Sequence, residues 1–182
     1  MTQCSEALYR LQDRGGAVLL ILVMLFALSS CATTGSFRDG VLDKKETRYK
    51  ITVPGNTWRP VRVGGADIAY FNETSKAVLL VHATCEGFRD APVKALASHL
   101  FFGIEEKRVL VREERPMDGR QAVYTELEGM LDGAPVKVAA YTMLKNYCLY
   151  DVAYSAPPDS FETDRAQFES IAKSLTTLPR KD

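Results

Sequence analysis

Histidine is nearly missing from this chain, and the short signatures of catalysis are missing altogether. Only His82 and His99 occur in 182 residues. A zinc centre or a nucleophile triad needs several such side chains brought together. There is no H-E-x-x-H, no G-x-S-x-G and no glycine-rich phosphate loop. C-x-x-C is absent too, which excludes a zinc ribbon and a thioredoxin-like centre. Net charge is zero, with 23 basic residues against 23 acidic ones, so no basic field awaits nucleic acid or an anionic membrane. Internal repeats and low-complexity segments do not occur. The longest apolar run falls short of the roughly 20 residues that cross a bilayer. No catalytic residue, metal ligand or cofactor site is assigned, and the chain is expected not to be an enzyme.

What the chain does carry is a leader. Arg10 and Arg14 precede the uncharged run AVLLILVMLFAL at residues 17–28, which has the length of a signal-peptide core. Leu28-Ser29-Ser30-Cys31 follows at once. This tetrapeptide resembles the bacterial lipobox, in which a peptidase cuts before the cysteine and the sulfur takes a diacylglycerol. The resemblance implies that residues 1–30 are removed and that Cys31 is the lipidation site, with palmitate-like chains held in a bilayer. Each buried methylene contributes about 0.8 kcal/mol, and two or three chains hold where one does not. Ala32 stands where aspartate favours the inner membrane in the enterobacterial pattern, so the outer membrane is the expected address, facing the periplasm. The leader's two acids and two bases cancel, and the remainder stays neutral.

About 150 residues remain, enough for one domain with a real core. Cys4 leaves with the leader and Cys31 is committed to lipid, so Cys85 and Cys148 are left together in an oxidising compartment. A disulfide between them is expected; two buried free thiols too far apart to join are the alternative.

Residues 32–47, ATTGSFRDGVLDKKET, are small, polar and charged. They read as a flexible tether with a typical reach of about 20–25 Å. Short strands are expected at 49–53 and 67–71, and a strong, nearly continuous apolar strand at 77–85. Asn72-Glu73-Thr74 fits a glycosylation sequon, here taken as chance. Asp90 and Pro92 suit the start of a helix whose apolar spacing runs from Val93 to Ile104, with Gly103 near its end. Long strands at 107–115, 120–130 and 134–145 are separated by Asp118-Gly119 and Asp132-Gly133, both hairpin signals. A further strand ends at Pro157-Pro158. Phe161, Phe168, Ile171, Ala172 and Leu175 mark an amphipathic C-terminal helix. Antiparallel strands with helices segregated onto the faces make an α+β fold.

Four stretches of this pattern resemble the Mog1/PsbP-like family. They are YKITVPGNTW at 49–58, the helix at 91–103, DGRQA at 118–122, and the strand from Cys148 to Pro158 that feeds a helix ending near Ser174-Leu175. The resemblance spans most of residues 48–178 and implies an α/β/α sandwich around an antiparallel sheet. The family holds binding, assembly and lipoprotein members, so it implies no single activity.

Three functions follow as expectations. The first is a lipid-anchored, non-enzymatic binding or assembly module that meets an unidentified envelope protein or lipid. The second is an accessory of lipid trafficking or ABC transport. Trp58, Tyr141, Tyr150, Tyr154 and Phe161 could line a groove for it, or be core instead. The third is a hydrolase, which needs His82 or His99 gathered with acids. The carboxylates Glu105, Glu106, Glu113, Glu114, Glu126 and Glu128 read as a solvated sheet face with cross-strand pairs. Asp151, flanked by apolar residues, is expected to pair with a base inside the fold.

Overall fold

The computed structural model describes residues 36–44, 46–85, 88 and 92–179. Eleven strands and two α-helices occupy them, all within the compact unit Thr34–Asp182. The strands are β1 (Ser36–Arg38), β2 (Val41–Asp43), β3 (Arg48–Lys50), β4 (Trp58–Pro60), β5 (Ile68–Asn72), β6 (Ala77–Thr84), β7 (Glu105–Met117), β8 (Arg120–Leu131), β9 (Ala134–Lys145), β10 (Cys148–Ala156) and β11 (Thr176–Thr177). Helix α1 is Val93–His99 and α2 is Phe161–Ser174.

Seven strands form one antiparallel sheet in the order β4-β5-β6-β10-β9-β8-β7, and a small sheet runs β1-β2-β3-β11. The α+β class and the hairpin pattern are as expected. Asp118-Gly119 and Asp132-Gly133 adopt positive φ at both residues (46° and 71°, 51° and 78°), the backbone of a type I′ turn that matches the twist of its strands. Asn146 and Tyr147 make the third such turn without glycine (54° and 62°).

Each face of the large sheet buries its own core. On one face α2 and the small sheet cover Leu79, Val81, Tyr124, Tyr141, Val152 and Tyr154. On the other, Phe101 and Ile104 pack over Leu127, Val138, Ala140 and Ala153. Alternate residues of β6 serve the first core, and β10 is buried on both faces, because it lies in the middle of the sheet. β7 is an edge strand. Two register shifts, Pro116 and dense charge keep its free side from pairing with other chains.

Two expectations are corrected. The stretch read as a tether contains the β1–β2 hairpin, whose ladder continues into β3. Leu42 is buried and Phe37 packs against the core, so two apolar side chains in a polar sequence suffice to dock it. Helix α1 ends at His99, before Gly103, because the chain tightens through Phe102 N–H to His99 and Ile104 N–H to Phe101 to set Phe101 and Ile104 on the sheet. No side chain caps α1 at Pro92, and Asp90 lies outside the described residues, as do the leader and Cys31.

Candidate functional site

The chemistry-bearing residues collect on the two faces of the large sheet, and each face treats its acids differently.

On the α2 face Glu126 is only 3% exposed. Its carboxylate lies 2.9 Å from Arg165 and 3.0 Å from Lys137, and it accepts the Tyr124 hydroxyl at 2.8 Å. Burial pushes its pKa up, but the hydrogen bonds and the two cations outweigh that and hold it below the usual range. Lys137 also sits 4.4 Å from the Phe161 ring centre, and Arg115 stacks 3.6 Å over Tyr124 while reaching Glu169 of α2. Every charge here is answered, so the network fastens α2 to the sheet. Glu126 therefore departs from the solvated row expected of the glutamates. The others keep to it: Arg108 pairs with Glu128, Arg115 with Glu113, and Lys94 of α1 with Glu114.

On the α1 face a single row crosses five strands. Glu114 lies opposite Val123, Val123 opposite Thr142, Thr142 opposite Asp151, and Asp151 opposite His82. Asp151 is 4% exposed and accepts the Thr142 hydroxyl at 2.7 Å. His82 is half-buried, and its Nδ1 is buried without a hydrogen-bond partner among the described residues. Thr125 nearby on β8 also has an unpartnered buried hydroxyl. Burial pushes the Asp151 pKa up to about 6, against the downward pull of the Thr142 hydrogen bond and the His82 charge.

This row meets the condition set for a hydrolase only in part. A histidine and an acid do converge, but the hydroxyl donates to Asp151 and not to His82. Thr142 is also 1% exposed, which withholds it from a substrate. His99 stands apart on the exposed side of α1. Among the described residues no three His, Cys, Asp or Glu side chains gather as a metal site.

Cys85 and Cys148 are joined by a disulfide. They continue the β6–β10 ladder one step beyond the Leu149–Thr84 pair. Asn72 is buried and its amide donates to Asp164, so the sequon is closed to modification in the folded state.

Trp58, Tyr141, Tyr150, Tyr154 and Phe161 are all buried in the α2-face core. Tyr154 stacks on Phe168 and Phe161, Tyr141 leans on Tyr124, and Tyr150 meets Tyr49 edge-on. The polar tips are used internally: Tyr154 donates to the Phe161 carbonyl and Trp58 to Gln167. These rings form core, not an open groove, because their partners are one another. They give the lipid-carrier reading no support.

No family model and no curated protein sequence matches the chain. Solved structures do. The chain is similar to cyanobacterial PsbP (CyanoP) from Synechocystis sp. PCC 6803, with a TM-score of 0.57 at 16% identity over 84% of this chain and 99% of that one. It is similar to LpqN, involved in cell envelope biogenesis of Mycobacterium tuberculosis, with a TM-score of 0.54 at 13% identity over 72% of this chain and 83% of that one. PA94, a protein of unknown function from Pseudomonas aeruginosa, gives a TM-score of 0.50 at 11% identity over 78% and 97%. Identities this low speak for fold and not for activity. The described residues adopt a PsbP-like α+β fold.

Proposed function

We propose that this protein is a cell-envelope lipoprotein, held on a bilayer through an acylated Cys31, whose PsbP-like domain acts as a non-enzymatic binding or assembly module. The observation that carries the reading is the order of the leader: two arginines, a short apolar run, then Leu28-Ser29-Ser30-Cys31. The likeness to LpqN, a protein of cell envelope biogenesis, supports the same compartment, and so does the disulfide, which an oxidising compartment preserves. Five residue steps separate Cys31 from Ser36 of β1 and span at most about 18 Å. The domain would then ride closer to the membrane than the tether estimate allowed. The periplasmic face of the outer membrane is the proposed address, and its partner an envelope protein or lipid.

The test is Cys31→Ser expressed in a Gram-negative host with a radiolabelled fatty acid. An unprocessed, unlabelled precursor is the expected product, and normal labelling of that variant would refute the assignment. Crosslinking in intact envelopes followed by pull-down then identifies what the domain meets.

A further inference from the structure

We propose that Asp151 and His82 form a proton-sensing pair on the α1 face, in which uptake of one proton bridges the two side chains. Four observations carry this. The residues are directly opposed on β10 and β6, which sets their Cβ atoms about 5 Å apart on the same side of the sheet. Asp151 is buried and, among the described residues, accepts one hydrogen bond, from Thr142, which leaves acceptor capacity on its carboxylate. Nδ1 of His82 is buried and has no partner among the described residues. His82 as a residue is only half-buried, which leaves it a side open to proton exchange with solvent.

An ionised carboxylate buried beside a neutral imidazole leaves both groups short of a partner. One proton from solvent changes that. On Nδ1 it makes an imidazolium that donates to the carboxylate; on the carboxyl it makes an acid that donates to Nδ1. Either way the pair becomes neutral overall and both vacant positions are filled by one hydrogen bond, at the cost of small side-chain rotations. A second proton leaves a buried positive charge with no answer. The pair therefore has one preferred protonation state, bounded on both sides.

The surrounding charges leave this intact. The described titratable groups on this side include Lys94 and His99 of α1, and Lys107, Arg112 and Glu114 of β7, the Lys107 ammonium donating to the Phe101 carbonyl. Lys94 and Glu114 answer each other, and among the described residues His82 is the titratable side chain directly opposed to Asp151. Because Glu114 begins the row that ends at His82, the proton sets the far end of the strip that Lys94 of α1 clamps at its near end. The pair depends only on the fold and stands whether or not Cys31 is lipidated.

The experiment is a carbon-13 NMR titration of the detergent-solubilised full chain, labelled at aspartate carboxyl and histidine ring carbons. With only two histidines, His82→Gln assigns the ring signals. In the unmodified protein the Asp151 carboxyl signal and the His82 ring signal should show a shared inflection. In His82→Gln the Asp151 midpoint should move by about one pH unit, upward where the bridging proton sits on Nδ1 and downward where it sits on the carboxyl, a change of about tenfold in proton affinity. An Asp151 curve unchanged by His82→Gln would overturn the proposal. So would two unrelated inflections in the unmodified protein, a readout that needs no variant to fold.

Discussion

The carboxylate of Glu126, in the middle of β8, lies 2.9 Å from the guanidinium of Arg165 on α2, in a position where the acid is 3% exposed. This contact ties a helix near the C-terminus to the body of the sheet. Glu126→Gln keeps the shape but leaves Arg165 and Lys137 facing a neutral amide. A loss of about 1–3 kcal/mol is expected in urea unfolding at pH 7. The contribution of Glu126 is present above its unfolded pKa, because its folded pKa is depressed, and is lost as pH falls through the folded value. The variant and the parent should therefore converge in stability as pH falls from the unfolded pKa through the lower folded one. Parallel curves throughout would show that the charge is irrelevant.

Asp151 has the opposite sign. Its folded pKa is raised to about 6, so the folded state holds more protons than the unfolded state between about pH 4 and 6. This acid's contribution thus weakens as pH rises across that window, and above it the fold carries a buried carboxylate. Asp151→Asn retains an acceptor for Thr142 and removes the ionisation. Relative to the parent it should gain stability from pH 4 to pH 7, by on the order of 2–3 kcal/mol. Urea midpoints at the two pH values decide the matter; a constant difference would refute it.

Cys85 and Cys148 are 63 residues apart, and cross-linking them removes about 4 kcal/mol of chain entropy from the unfolded state. Cys148→Ala should lower stability by about 2–4 kcal/mol. Alkylation of the unreduced protein followed by mass spectrometry should leave both residues unmodified. Label at both would mean that the thiols are free.

Gly129 is the point where β8 passes under the irregular start of β7. A Cβ there would stand 2.5 Å from the Glu105 carbonyl oxygen and 2.6 Å from Cγ2 of Ile104. Backbone cannot yield as a side-chain tip can, so Gly129→Ala should cost about 1–3 kcal/mol. A thermal melt checks this, and an unchanged midpoint would show that the β7 bulge relaxes freely.

Trp58 is the single tryptophan, 6% exposed and bonded through its indole N–H to Gln167 at 2.8 Å. Its fluorescence should resist acrylamide in the native protein and become quenchable only on unfolding. Strong native quenching would reopen the aromatic cluster as a groove.

Much of the fold was legible because it follows local rules. The Asp-Gly pairs at 118 and 132 marked two hairpins, since few other residues adopt two successive positive φ angles. The spacing of Phe161, Phe168, Ile171 and Ala172 marked α2, and all four are buried. Less could be read where a few residues act against their neighbours. Residues 36–43 look like linker, and only the contact of Leu42 and Phe37 with a core built far along the chain makes them strands. The turn at Asn146-Tyr147 is an exception: Lys145-Asn146 marks it in the sequence although it carries no glycine, and the strands on either side impose its backbone.

By itself the sequence determined the leader pattern, the neutral charge, the scarcity of catalytic side chains, the antiparallel order and the two helices. All of these rest on composition or on periods of two and of about 3.6 residues, which neighbours along the chain decide. Tertiary structure alone decided which acids are buried and by what they are answered. Glu126 and Glu128 look alike in sequence, but Arg165 and Lys137 converge on the former. Asp151 and His82 lie 69 positions apart and face each other only through the register of β10 on β6. Register belongs to strand pairing across the whole sheet, and no local pattern carries it.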